Sequence, residues 1–307
     1  MDSITSYTAI RKIEPKKDNL GILRIFLNNK PLFNLGALDQ GYWPDGIYTQ
    51  PSEEAMIYDI KKLKALGFNT IRKHAKIESF RYYYQCDKIG MVIWQDIPSS
   101  NLDSSGKWDK IHINGGKDTK RSKVSKENYY KELGEIIENY KFFQCIIIWI
   151  PFNEAWGQFD TKEVVEFIQR YDNSRLIDAA SGGNHRICGH FIDLHSYPNP
   201  KYFLKYKNLI NIFGEYGGIG LKIKNHTWNA NNWGYLFLSN KKELTNKYIE
   251  YINELIKLVP KGISAAIYTQ STDVEEELNG LITYDRYETK VFAIIKEYNK
   301  KLISCLN

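Results

Sequence analysis

The chain has 307 residues and a mass of 35.9 kDa, which allows one large domain or two modest ones. A hydrophobic fraction of 43% with 14% aromatic residues excludes a disordered chain. A mean hydropathy of −0.46, with no apolar run near the ~18 residues of a membrane span, excludes a transmembrane protein. The net charge is +6, but its densest basic stretch, residues 107–131, contains no recognisable nucleic-acid-binding motif, so we expect no nucleic-acid partner.

The first 30 residues precede a repeating pattern and do not belong to it. Two short β-rich runs, at 10–13 and 22–26, predict a hairpin that closes the bottom of the following domain. No basic region followed by an apolar stretch opens the chain, so we expect no secretory signal and, if the chain is complete, a cytoplasmic protein. The four cysteines form no C-x-x-C pair and are too few for a disulfide framework.

From residue 31 to residue 307, β-rich runs alternate with stretches of helical period. Strands are predicted at 32–38, 69–73, 91–96, 145–152, 176–180, 191–195, 209–215 and 262–268. Helices are predicted at 52–66, 125–140, 242–258 and 287–302, and a further one begins at 160. Ser52 is a candidate N-cap and Gly67 a C-terminal stop, while Asp160 with Glu163 forms a variant of the capping box.

Eight strand–helix alternations predict an α/β fold, the (β/α)8 TIM barrel, over residues 31–307. The run at 145–150 is apolar at every position, as in a parallel strand covered on both faces. A doubly wound open sheet is the competing fold, but no G-x-G-x-x-G follows the first strand and no Walker A loop is present. The long irregular segment 97–124 follows the third strand, where we expect a lid or a substrate wall.

Working residues of barrel enzymes lie at the carboxyl ends of the strands. Glu154 follows strand four and Glu215 ends strand seven, so the two side chains can converge over the barrel mouth. Two converging carboxylates amid aromatic and amide side chains indicate glycoside hydrolysis, in which one is protonated and the other ionised. The alternative for each glutamate alone is a structural salt bridge with a neighbouring cation.

Four segments at these strand ends resemble the catalytic domain of glycoside hydrolase family 2, which contains β-galactosidases, β-glucuronidases and β-mannosidases. They are GALDQGYWPDG at 36–46, GFNTIRKH at 67–74, IWIPFNEAW at 148–156 and FGEYGG at 213–218. The resemblance covers about residues 20 to 300. It implies that Glu154 is the acid/base and Glu215 the nucleophile of a retaining mechanism, with the carboxyl groups ~5–5.5 Å apart. No cofactor is implied.

Supporting roles are expected for side chains near the two glutamates. Asn153 can donate to the sugar 2-hydroxyl, Arg72 can keep Glu215 ionised, and Tyr197 can donate to the same carboxylate. His74 and His195 are candidates for binding sugar hydroxyls, or alternatively core histidines.

Further substrate-binding residues are expected on the loops after the strands. Asp39 lies in the segment after strand one, and Trp43 and Trp156 can offer ring faces to the sugar, whereas Trp94 fits ordinary packing better. The acidic stretch 273–280 lacks EF-hand spacing, and no H-E-x-x-H or cysteine ligand set exists, so no metal site is predicted. From that stretch we expect either hydroxyl recognition by Asp273 or Glu275, or internal ion pairs.

The resemblance implies a retaining exo-β-glycosidase acting on a carbohydrate, with a β-galactoside favoured. The segment 94–98 resembles β-mannosidases, while the motifs after strands four and seven fit several specificities. Full-length members carry a jelly-roll sugar-binding domain and an immunoglobulin-like domain before the barrel, so residues 1–30 are expected to be a linker left from the latter. The alternative function is a catalytically inactive, carbohydrate-binding barrel fragment.

Overall fold

The computed structural model of the chain describes residues 3, 5–99, 112–201 and 206–306. The strands are β1 (Ile13–Lys17), β2 (Leu23–Leu27), β3 (Lys30–Pro31), β4 (Asn34–Asp39), β5 (Thr70–Lys73), β6 (Val92–Asp96), β7 (His112–Ile113), β8 (Ile146–Ile150), β9 (Leu176–Ile177), β10 (Asn184–His185), β11 (Phe191–Ser196), β12 (Ile210–Gly217), β13 (Ile219–Gly220), β14 (Leu236–Phe237) and β15 (Ile263–Thr269). The α-helices are α1 (Glu53–Ala65), α2 (Phe80–Ile89), α3 (Lys123–Tyr140), α4 (Thr161–Tyr171), α5 (Lys241–Leu258) and α6 (Ile295–Ile303). Short 3-10 helices follow α5 and α6 at Val259–Lys261 and Ser304–Leu306.

Eight parallel strands form a barrel in the order β11-β12-β15-β4-β5-β6-β8-β9. Each of them lies where the sequence predicts a strand, so the predicted (β/α)8 TIM barrel is confirmed. The interior is filled by side chains such as Trp94, Ile148 and Ile267, all of them fully buried. Trp94 therefore packs in the barrel core, as expected. In the described part of the chain, none of the helices is both long and apolar enough to cross a membrane.

A seam separates β9 from β11, which do not pair as strands in the described sheet. His190 closes this seam. The His190 ring Nδ1 accepts from the Ile177 backbone N–H at 2.9 Å. The His190 backbone N–H donates to the Ile177 carbonyl at 2.9 Å. The fifth strand is shorter than predicted, because beyond Ile177 the backbone bonds to the β8 side, where the Asp178 N–H donates to the Trp149 carbonyl and the Ser181 N–H to the Phe152 carbonyl.

The β1–β2 hairpin closes the amino-terminal end of the barrel, as predicted. Ile25 is fully buried among the lower barrel side chains. The buried Arg24 guanidinium donates to the carbonyls of Val259 and Ile263, where β15 begins. The first strand spans Ile13–Lys17 rather than residues 10–13, and Ile10 is fully exposed.

Local capping signals are only partly confirmed. The Ser52 side chain accepts from the Ala55 N–H and caps α1 as predicted. The predicted capping box at Asp160 is wrong: this residue has φ 39° and makes no side-chain cap, because its carboxylate binds the Lys126 ammonium at 2.5 Å.

Two helices differ from the prediction: one is shorter than expected, and one was not expected. The last one begins at Ile295 rather than at 287, because Lys290 first pairs back with the Leu281 carbonyl. Helix α2 was not predicted. Residues 100–111 of the expected lid segment lie outside the described residues.

Candidate active site

Arg72, on β5, organises the carboxyl-terminal mouth of the barrel. Its side chain is fully buried and forms a bidentate salt bridge with Asp96, at the end of β6, with both N···O distances 3.0 Å. The remaining N–H groups donate to Glu215 Oε1 at 3.2 Å and to Asn153 Oδ1 at 2.7 Å. One buried cation on β5 thus positions side chains from three other barrel strands or their ends. The sequence shows Asp96 as a strand end but does not indicate that it anchors Arg72.

Glu215 lies on β12 with 6% of its surface exposed. Its Oε2 accepts from the Tyr197 hydroxyl at 2.5 Å, and the Tyr197 oxygen is also 2.7 Å from Thr269 Oγ1. Burial alone would raise the pKa of Glu215, but the charges of His195 and Arg72 and the Tyr197 hydrogen bond lower it below the ordinary value. The site therefore holds this carboxylate in its ionised form.

Glu154 follows β8 in a sharp turn. Its φ is 50°, in the left-handed region that non-glycine residues seldom adopt, and its N–H donates to the Ser181 carbonyl at 2.9 Å. The Trp156 N–H closes the turn on the Asn153 carbonyl. This backbone points Glu154 at His195, whose Nδ1 lies 2.8 Å from Glu154 Oε1.

His195, on β11, lies between the two glutamates, because the same Nδ1 is 3.5 Å from Glu215 Oε2. Its other ring nitrogen is 2.9 Å from Ser181 Oγ, which is 2.5 Å from Asp193 Oδ2. Burial would lower the pKa of His195, but the charges of Glu215 and Glu154 raise it to about 9. The imidazole is therefore protonated near neutral pH, and it donates to a carboxylate on one side and a hydroxyl on the other.

Oxygen atoms of Glu154 and Glu215 and a nitrogen of His195 lie within 4.8 Å of one another. Such a set can ligate a metal ion only if the imidazole has a free lone pair. Without a metal ion the ring is protonated near neutral pH, so a metal ion would have to displace that proton. The protonated Nδ1 connects the two carboxylates.

The other side chains expected to bind substrate are distributed unevenly. His74 belongs to the central network, since its Nδ1 is 2.7 Å from Asp96 Oδ2. Asp39 Oδ2 pairs with the buried Lys73 ammonium at 3.0 Å. Trp43 packs against Arg286, with the guanidinium carbon 3.9 Å from the centre of its ring. Trp156 is half-buried.

Two residues of the mouth were missed by the sequence reasoning. Tyr235 stacks on Tyr197 with ring centres 3.8 Å apart, and its pKa is raised by burial and by the charges of Glu215, Glu154 and Glu277. Glu277 belongs to the acidic stretch 273–280. Both residues lie on loops, where no periodic pattern marks them.

The acidic stretch itself makes an internal ion pair. Asp273 Oδ1 accepts from the Lys290 ammonium at 2.7 Å, and Glu275 is exposed. Lys290 also donates to the Leu278 carbonyl at 2.9 Å, so it holds both ends of the loop that carries Glu277.

Comparison with known proteins adds a family and a fold. The family model described as glycosyl hydrolases family 2, TIM barrel domain, matches residues 24–217. A β-galactosidase of Thermoanaerobacter pseudethanolicus is 27% identical over 185 residues, which cover 57% of this chain and 21% of that protein. The chain therefore spans about a fifth of this relative's length.

Solved structures agree with the barrel. A β-D-glucuronidase of Dictyoglomus thermophilum superposes with a TM-score of 0.75 at 16% identity, over 96% of this chain and 54% of that one. A family 2 β-galacturonidase of Eisenbergiella tayi, bound to galacturonate, gives a TM-score of 0.69 at 15% identity, over 96% and 55%. At these identities the two structures support the fold alone.

Proposed function

Since the chain belongs to glycosyl hydrolases family 2, we propose that it is a retaining exo-β-glycosidase that removes a terminal β-linked sugar by double displacement. The observation that carries the proposal is the pair of carboxylates, Glu154 and Glu215, whose oxygens approach within 4.8 Å. A retaining pair stands ~5–5.5 Å apart, whereas an inverting pair needs ~6.5–9.5 Å to admit a water molecule.

In the first step, a Glu215 oxygen attacks the anomeric carbon while the bond from that carbon to the leaving oxygen breaks. Glu154 supplies the proton that the leaving oxygen takes up. The product is a glycosyl ester of Glu215 and a free alcohol. In the second step, Glu154 takes a proton from water, the water oxygen bonds to the anomeric carbon, and Glu215 leaves as a carboxylate.

The surrounding side chains support this division of roles. The charge of Arg72 and the hydroxyl of Tyr197 both favour the ionised form of Glu215, as a nucleophile and as a leaving group requires. The side-chain oxygen Oδ1 of Asn153 accepts from Arg72, so the side-chain nitrogen Nδ2 can donate to a sugar hydroxyl. His195 Nδ1 lies 2.8 Å from Glu154 Oε1 and orients that carboxyl group.

We further propose that β-galactosides are the favoured substrates. The support is the β-galactosidase named above, which aligns with more than half of this chain. The Asp39, His74, Trp43 and Trp156 side chains are proposed to contact the sugar or its leaving group.

The proposal is tested by intact-mass analysis after incubation with 2-deoxy-2-fluoro β-glycosides of galactose, glucose, mannose and glucuronic acid. We expect a covalent adduct on the peptide that contains Glu215, formed fastest with the galactose reagent. Glu215→Gln should form no adduct and lose turnover while keeping its unfolding transition. A folded wild-type protein that forms no adduct and hydrolyses no aryl β-glycoside would instead be a non-catalytic carbohydrate-binding barrel.

A further inference from the structure

A third carboxylate, Glu277, faces the mouth of the barrel on the loop after β15. Gln40, which follows β4, donates from Nε2 to Glu277 Oε2 at 3.3 Å and to Gln270 Oε1 at 3.0 Å. Asn279 Nδ2 donates to Glu277 Oε1 at 2.8 Å. Amide donors therefore orient both carboxylate oxygens, and the half-buried side chain keeps part of its surface open.

Glu277 lies close to Glu215, one of the catalytic pair. Gln270 directly follows Thr269, whose hydroxyl lies 2.7 Å from the Tyr197 oxygen. Burial and the charge of Glu215 raise the pKa of Glu277, so the two carboxylates are electrostatically coupled.

Aromatic residues adjoin the loop that carries Glu277. The Trp233 N–H donates to the Glu276 carbonyl at 2.9 Å, and its ring lies edge-on to Tyr235. Tyr235 in turn stacks on Tyr197. Glu277 is therefore connected through Trp233 and Tyr235 to Tyr197, whose hydroxyl donates to Glu215.

Within the described residues, Glu277 differs from several neighbouring carboxylates in forming no salt bridge. Three other buried carboxylates near the mouth pair with a buried cation within 3.0 Å: Asp39 with Lys73, Asp96 with Arg72, and Asp273 with Lys290. Among the residues that the structure describes, Glu277 forms no ion pair; its partners are neutral amides.

From this geometry we propose that Glu277 selects the sugar: it accepts hydroxyl groups of a neutral glycone and excludes a glycuronate. The inference rests on the proposed function and names its substrate class. A neutral sugar offers O–H donors to a carboxylate whose amide contacts leave lone pairs free. A glycuronate would bring a second negative charge beside an uncompensated one, and such like-charge contacts are strongly unfavourable in a partly desolvated site.

The test compares neutral and acidic ligands of matched shape. Phenyl 1-thio-β-glycosides of galactose, glucose and mannose, and the corresponding uronides, are titrated calorimetrically against wild type, Glu277→Gln and Glu276→Gln. The thio linkage resists hydrolysis, so binding is read without turnover. Glu276 is the matched control, because it is adjacent and exposed and its side chain accepts from Asn229 Nδ2 at 3.0 Å.

We expect the best neutral ligand to bind wild type at least tenfold more tightly than its uronide. Glu277→Gln should reduce that ratio by at least tenfold, and Glu276→Gln should leave it within twofold. The inference is overturned by an unchanged ratio in Glu277→Gln, by a wild type that prefers a uronide, or by a folded wild type that binds none of the six ligands. Selective binding without adduct formation would refute the proposed glycosidase and leave the inference standing.

Discussion

Removing a single hydroxyl group, in Tyr197→Phe, tests whether the protein tunes Glu215 as a nucleophile. The hydroxyl donates to Glu215 Oε2 at 2.5 Å, and the ring stacks on Tyr235. Phenylalanine keeps the stacking surface, so the barrel should remain folded. The change removes the charge-assisted hydrogen bond to Glu215 together with the contact to Thr269 Oγ1.

A hydrogen bond to a charged group contributes about 1.5–3 kcal/mol. At 1.36 kcal/mol per pKa unit, its loss should raise the pKa of Glu215 by about one to two units. The ionised nucleophile is then lost at higher pH, so the acidic limb of kcat/KM should move upward. The same hydroxyl stabilises Glu215 as it leaves the glycosyl ester, so hydrolysis of the ester should slow by roughly 10- to 150-fold.

The assay is the pH profile of kcat/KM for an aryl β-glycoside, together with stopped-flow kinetics on a dinitrophenyl glycoside. Slow ester hydrolysis should appear as a larger burst of phenol followed by a lower steady rate. Tyr248→Phe is the control, because its hydroxyl is buried on α5 and donates to Asn299 at 2.9 Å. An acidic limb that stays in place in Tyr197→Phe, with rates within twofold of wild type, would refute the reasoning.

Three further predictions address the acid, the histidine and the loop. Glu154→Ala should slow glycosides of poor leaving groups by roughly 10²–10⁴-fold and activated ones far less; equal slowing of both in steady-state assays would contradict its role as the acid. Because the pKa of His195 is raised from 6.5 to about 9, the contribution of its charge to the free energy of unfolding is complete below pH 6.5 and is lost as pH rises through 9. The gap in unfolding free energy between wild type and His195→Gln should shrink by on the order of 3 kcal/mol over that range in urea titrations, whereas a constant gap would argue against a charged ring. Lys290→Met leaves the buried Asp273 carboxylate unpaired and should cost about 3–5 kcal/mol in the same titrations, so a loss below 1 kcal/mol would mean that the pair is not needed.

The features that could be predicted from the sequence are those that repeat. The β8 run is apolar at every residue, and each barrel strand precedes a polar strand end, so strand order and the positions of Glu154 and Glu215 were predictable. Helix α2 was not predicted, because its Tyr82–Tyr84 run contains residues typical of strands and its amphipathic face is only evident once Tyr82 and Tyr83 are seen to be buried.

Side chains on the loops were harder to predict than those on strands. Tyr235 and Glu277 reach the mouth only through hydrogen bonds between distant segments, such as the bond from Trp233 N–H to the Glu276 carbonyl. Asp160 carries the capping signal, but it pairs with Lys126 from another helix instead. A local pattern cannot show a partner that is distant in the chain.

The seam between β9 and β11 has a consequence for how ligand binding and barrel stability are linked. Ser181 lies on the β9 side and His195 on the β11 side, and the contact between them at 2.9 Å bridges the gap. Glu154 is attached to the Ser181 side through its backbone and to His195 through its side chain. Separating the two edges would therefore pull Glu154 away from His195. A sugar that needs Glu154 and His195 in contact binds only the barrel in which the two edges are joined. By mass action such a sugar stabilises the folded barrel, and the stabilisation grows with the sugar concentration.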